Sequence, residues 1–124
     1  YVEATNLSSD KGLPLIPPFN TCLELTLHLT KKVENTARVD LTVEGSYTAS
    51  QNRFDEAELF KPPPPSYVLY NTGIRCISKS GNKTLELKCS NLFNSKYSNY
   101  LNNLRYFSPQ ETGRNISLQY FYNF

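Results

Sequence analysis

Apolar and polar residues alternate strictly in "CLELTLHLTKK". Leu23, Leu25, Leu27 and Leu29 fall between Cys22, Glu24, Thr26 and His28. A period of two places the leucines on one face of a strand and the polar set on the other. The next patterned stretch, "ARVDLTVEGSYT", repeats the arrangement with Val39, Leu41 and Val43 against Asp40, Thr42 and Glu44. Matching the apolar faces of an antiparallel pair sets Leu29 opposite Val39, Leu27 opposite Leu41 and Leu25 opposite Val43. A slip of one residue would set leucines against Asp40 and Thr42, so the pattern determines the register. Val33-Glu34-Asn35 is then the connecting loop, with Asn35 suited to a left-handed position.

Further along, Tyr67–Ser78 reads as a strand interrupted by a turn or bulge at Asn71-Thr72-Gly73. A turn of Ser80-Gly81-Asn82-Lys83, with Gly81 and Asn82 central, leads to a partner strand over Lys83–Cys89. The period then changes. Phe93, Tyr97, Tyr100, Leu101, Leu104 and Phe107 recur at helical spacing up to Ser108-Pro109, which predicts one amphipathic helix. The ending "NISLQYFYNF" alternates again and predicts a closing strand. Pro14, Pro17 and Pro18 make residues 1–21 an extended arm, with Leu13, Leu15, Ile16 and Phe19 as its contacts. A helical turn is expected in "QNRFDEAELF". The prolines of "KPPPPSYVLY" form a rigid lead-in to a strand starting at Tyr67, although P-P-x-Y is also a WW-domain ligand pattern. The expected fold is mainly β: an antiparallel sandwich or small barrel of five to six strands, with the helix before the last strand. A single domain over 1–124 is expected, comprising the arm at 1–21 and sheet plus helix at 22–124.

Composition narrows the functional classes. With 124 residues the chain can bury a core, and 9 Tyr and 7 Phe without Met or Trp make that core aromatic. The net charge of +2, with no basic cluster beyond Lys31-Lys32, leaves no electrostatic footprint for nucleic acid. No apolar run reaches the ~18 residues of a spanning helix. A chain opening at Tyr1 without a signal-type apolar run reads as a mature or trimmed product, as a cloned fragment also would, and if a cleavage precedes Tyr1 the expected context is extracytoplasmic. Three cysteines predict one disulfide and one free thiol. Cys76–Cys89 is the first candidate, with Cys22 bonded to either as the alternative. Sequons at Asn6, Asn82 and Asn115 point to a secreted glycoprotein.

Candidate chemistry gathers on the polar side of the first hairpin. The register sets His28 opposite Asp40, Thr26 opposite Thr42, Glu24 opposite Glu44, and Thr30 opposite Arg38. Ribonucleases that work on the face of a sheet use these residue types, with His and Glu exchanging protons while Arg steadies a phosphate. The wet side of an antiparallel sheet has the same composition without catalysis. Facing Glu24 and Glu44 repel each other unless a cation relieves them. One histidine excludes two-histidine metal sites, and neither Gly-rich phosphate cradles nor G-x-S-x-G occur. No catalytic set, metal site or cofactor is therefore expected.

Two resemblances add to this. "LQYFYNF", alternating up to Phe124, resembles the closing strand of bacterial outer-membrane barrels over about nine residues. The order of elements, many strands then a late helix and a final strand, resembles that of lipocalins, though their G-x-W motif is missing. That second resemblance implies a carrier holding a small apolar ligand, with Leu23, Leu25, Leu27 and Leu29 lining its cavity. The leading expectation is a secreted or cell-surface domain that binds a protein partner without catalysis. Tyr97, Tyr100, Tyr106, Tyr120 and Tyr122 are its candidate contact residues, since Tyr gives large contact area at low entropy cost.

Overall fold

The computed structural model describes residues 2, 4–7, 11–13, 15–29, 36–53, 62–107 and 110–124. Two short strands, β1 (Thr5–Asn6) and β2 (Lys11–Gly12), pair as an antiparallel ribbon in the N-terminal arm. Five longer strands follow: β3 (Asn20–Leu29), β4 (Thr36–Thr48), β5 (Tyr67–Ser78), β6 (Lys83–Ser90) and β7 (Asn115–Tyr122). They form one antiparallel sheet in chain order, each strand beside its sequence neighbour. Such a meander needs only short or local connections. β3 and β7 are its two edges, so the sheet is open and the expected closure into a barrel does not occur among the described residues.

Several expectations change in detail. β5 runs unbroken through Asn71-Thr72-Gly73, with Thr72 opposite Cys89 and Gly73 opposite Lys88. Asn71 spends its side chain on other residues instead of bending its own backbone. Its Nδ2 donates to Glu44 Oε1 at 2.6 Å, and its Oδ1 accepts the Asn91 N–H at 2.9 Å. The β5–β6 turn is also wider than the expected two-residue one, because Lys79 to Asn82 all lie between the strands. Gly81 takes φ 72° and donates its N–H to the Ser78 carbonyl at 2.9 Å. The register moves by two residues, which keeps every side chain on its expected face.

That move separates the disulfide candidates. Cys89 faces Thr72 while Cys76 faces Leu85. Four residues of strand, about 13 Å, intervene, beyond the reach of an S–S bond. All three cysteines, Cys22, Cys76 and Cys89, are free.

The amphipathic helix expected over Phe93–Phe107 is replaced by irregular backbone and one 3₁₀ turn at Asn103–Tyr106. Asparagine side chains explain this by capturing nearby amides. Asn91 Oδ1 accepts from Ser95 N–H, Asn99 Oδ1 from Leu101 N–H, and Asn102 Oδ1 from Leu104 N–H. Asn91 and Asn94 also hold positive φ, a conformation no helix continues through. Loop residues 33–35, most of the "QNRFDEAELF" turn and Ser108-Pro109 lie outside the described residues.

The chain divides into two compact units. One comprises Tyr1–Thr21, Ser46–Val68 and Lys96–Thr112. In it Tyr67, the first residue of β5, packs its ring against Tyr97 at 4.8 Å. Gln51 is buried and donates to the Ile16 carbonyl, and Arg105 stacks between the rings of Tyr100 and Tyr106. Tyr100 is buried there, at 3% exposure, and so is Pro18. Leu13, Leu15 and Phe19, expected as contacts of the arm, are exposed.

The other unit comprises Cys22–Gly45, Leu69–Ser95 and Gly113–Phe124, and holds most of the sheet. Its two faces differ in an unexpected direction. Leu23, Leu25, Leu27, Leu29, Val43, Ile74, Leu85, Leu87, Ile116, Leu118 and Tyr120 are all exposed. The buried side chains of the sheet are instead charged, Asp40 and Glu86.

Candidate functional site

The polar face of this sheet is built by the same alternation that makes the strands. Even positions of β3 and β4 supply Glu24, Thr26, Arg38, Asp40, Thr42 and Glu44. β5 supplies Asn71, Gly73 and Arg75, and β6 supplies Glu86, Lys88 and Ser90, with Arg75 opposite Glu86 and Gly73 opposite Lys88. The expected cross-strand pairs of the first hairpin meet. His28 Nδ1 lies 2.7 Å from Asp40 Oδ1, and the Thr26 and Thr42 hydroxyls are 3.2 Å apart. Thr30, the expected partner of Arg38, is outside the described residues.

Two buried carboxylates anchor this face, each with its own cations. Asp40, 5% exposed, accepts Arg38 Nε at 2.6 Å on the same Oδ1 that meets His28. The Arg38 guanidinium first, then His28, hold the Asp40 carboxyl below the usual carboxylate range. Arg38 is raised in turn by its bond to Asp40. Its Nη2 also lies 3.0 Å from His28 Nδ1, so that nitrogen either donates to Asp40 or accepts from Arg38. Glu86, 6% exposed, takes Arg75 Nη2 at 2.9 Å and Lys88 Nζ at 3.3 Å, both on Oε1. Burial pushes the Glu86 carboxyl up, but the bonds from Arg75 and Lys88 outweigh it and leave it lowered.

Between these anchors lies a cavity of about 460 Å³. Its lining includes four carboxylates (Glu24, Asp40, Glu44, Glu86), three cations (Arg38, Arg75, Lys88), Asn71, and the short residues Thr26, Thr42, Gly73 and Ser90. The space exists because a row of the face carries small side chains, or none at Gly73, while its neighbours carry long charged ones. Outside the lining, the exposed Cys22 thiol is raised by partial desolvation and further by the negative charges of Glu44 and Glu24.

His28 does not line this cavity, although Asp40, Glu24 and Glu44 do. The set considered for hydrolysis is therefore split, and His28 sits exposed against Asp40. No group of three His, Cys, Asp or Glu among the described residues could hold a metal ion. Arg75, Glu86, Lys88 and Gly73 were not singled out from the sequence. The alternation of Thr84, Glu86 and Lys88 against Leu85 and Leu87 carried the signal, once β6 was extended from the Gly81 turn.

The candidate tyrosines are not one surface. Tyr97 is half-buried against Tyr67, Tyr100 is buried and Tyr106 packs on Arg105, all in the first unit. Tyr120 and Tyr122 are exposed on β7 of the second. Of the sequons, Asn115 is exposed at the start of β7, and Asn82 is half-buried in the β5–β6 turn, where it accepts from Ser78 and Ser80. The Asn6 backbone belongs to β1. No described helix is long and apolar enough to cross a membrane. No family model, no curated protein and no solved structure matches the chain.

Proposed function

We propose that this chain is a secreted or cell-surface, non-catalytic domain that recognises a protein partner through the apolar face of its sheet. The carrying observation is the exposure of that face at its edge strands: Leu23 is 78% exposed and Leu118 is 68% exposed. Isolated surface leucines need no explanation, but a contiguous apolar patch marks a surface that becomes buried. Tyr120, 61% exposed beside Leu85, supplies the aromatic anchor common at the centre of interfaces. The extracellular setting rests on the sequons, because the free cysteines lend it no support.

The alternative of a carrier for a small apolar ligand finds less support. Leu23, Leu25, Leu27 and Leu29 do not line the cavity, whose walls are charged and hydroxylated. The test is affinity capture from one extract, comparing wild type with a Leu25→Asp/Leu118→Asp double variant. Both positions are already exposed, so the fold should survive, which circular dichroism checks. Loss of a specifically captured protein in the variant is expected. Capture that persists unchanged would mean that this face is not the recognition surface.

A further inference from the structure

The unit that holds Tyr100 and Arg105 buries a positive charge without burying a negative one. Arg105 is 5% exposed, yet it pairs with no carboxylate among the described residues. Glu111 is the one carboxylate of this unit among those residues, and it is engaged elsewhere. Its Oε1 accepts the Asn102 side-chain amide at 2.7 Å and the Asn99 N–H at 3.4 Å. The guanidinium lies instead against two aromatic rings, 4.9 Å from the Tyr100 centroid and 5.1 Å from that of Tyr106. Such contacts offset part of the lost hydration. A guanidinium cannot shed its charge, however, and buried charges are ordinarily paired.

Hydrogen bonding points the same way. Nη2 of Arg105 donates to the Tyr106 hydroxyl at 3.3 Å, whereas Nη1 is buried and has no partner among the described residues. The hydroxyl of Tyr100, a residue 3% exposed, is likewise buried and unpartnered. Unsatisfied buried groups are rare in folded proteins, and an ion or a water is their usual companion. Nη1 can only donate, the Tyr100 hydroxyl can donate as well, and both belong to one cation–aromatic contact. What satisfies both is therefore an acceptor, and the unpaired charge favours an anion. One guanidinium balances one negative charge. Because both atoms are closed to solvent, the occupant must also be small.

We propose that Arg105 and Tyr100 bind a small monovalent anion of the halide class, held by Arg105 Nη1–H and the Tyr100 hydroxyl. A spherical ion accepts from both donors without the planar alignment that a carboxylate needs. Binding to the folded chain alone, it raises stability with the logarithm of its concentration above the dissociation constant. Arg105, Tyr100, Tyr106 and Glu111 all belong to one unit, and the exposed leucines of the sheet belong to the other. The inference therefore stands apart from the protein-partner reading.

Thermal unfolding of the whole chain at constant ionic strength tests this, with sodium chloride exchanged stepwise for sodium gluconate. Gluconate carries the same charge but is too large for the site. The midpoint should rise with chloride along a one-site curve, and bromide should substitute for chloride. Tyr100→Phe removes a hydroxyl that bonds to no described residue, so its midpoint in gluconate should match wild type. Its apparent chloride affinity should fall roughly fivefold or more, the scale of one hydrogen bond to a charged group. Arg105→Gln should abolish the chloride response, and Tyr100→Phe decides the matter should the Gln variant fail to fold. A midpoint indifferent to chloride would assign the two donors to water and overturn the proposal. A chloride response left unchanged by Tyr100→Phe would overturn it too, by placing the ion elsewhere.

Discussion

The two faces of this sheet invert the usual arrangement. On one, Asp40 and Glu86 are buried, ion-paired and hydrogen-bonded, as charged groups must be when removed from water. On the other, leucines that would ordinarily make a core stay in solvent. Neighbouring residues of one strand display the contrast: Glu86 is 6% exposed and Leu87 is 44% exposed. An antiparallel sheet usually packs its apolar side and wets its polar side. Here the polar side is organised by its own ion pairs, whereas the apolar side stays exposed among the described residues. The difference separates two origins of order. Order on the polar face rests on ion pairs and hydrogen bonds within the chain, whereas the leucines of the other face gain little burial among the described residues.

Acid should produce the largest effect, because it strikes both buried carboxylates at once and leaves the apolar face untouched. Asp40 and Glu86 are both held below their ordinary values. Their contribution is therefore fully present above the unfolded-state value, about 4, and is lost as pH falls through the lower folded-state values. Urea-unfolding midpoints should hold steady from pH 7 to about 5 and then fall towards pH 2.5. Glu86→Gln should flatten that fall, and a midpoint independent of pH would contradict an electrostatically organised face.

Next in size is the comparison of Glu86→Ala with Leu87→Ala. Core leucines cost about 2–5 kcal/mol when cut to alanine, far more than typical surface changes. In this chain the order should reverse. Glu86→Ala strands Arg75 and Lys88, which are half-exposed and re-solvate in part, for a loss of roughly 1–2 kcal/mol. Leu87→Ala should cost less than about 1 kcal/mol in the isolated chain. If a protein partner covers this face as proposed, Leu87→Ala should become the costlier of the two in the complex. A Leu87→Ala loss above that of Glu86→Ala in the free chain would show that the apolar face is already covered.

Much of this contrast was legible in the sequence, though not its sense. Alternation gave β3, β4, β7 and the His28–Asp40 and Thr26–Thr42 pairs, because a period of two and one polar face leave a single register. Strand β5 starts at Tyr67 as expected from the prolines before it. The expected helix failed for a local reason: Phe93, Tyr97, Tyr100 and Leu104 have helical spacing, but Asn91, Asn99 and Asn102 bind the amides a helix would use. The β5–β6 register failed by two residues because turn width is not encoded in face parity. Which face would be buried was not readable at all. Alternation states that two faces differ, and only the packing around them decides which one meets solvent.

The smallest effect tests how far the polar network extends. His28 is 59% exposed in its side chain, and its partner Asp40 keeps the shorter Arg38 bond on the same oxygen. Removing the imidazole by His28→Ala therefore leaves the buried carboxylate paired. An exposed member of an ion pair contributes little, since water and salt compete with it. The stability change should stay below about 0.5 kcal/mol, the scale of ordinary surface substitutions. Arg38→Ala, which removes the shorter of the two bonds on Oδ1, should exceed it in the same thermal-denaturation series. If His28→Ala proved the more damaging, the network would be anchored at the β3 edge and not through Arg38 on β4.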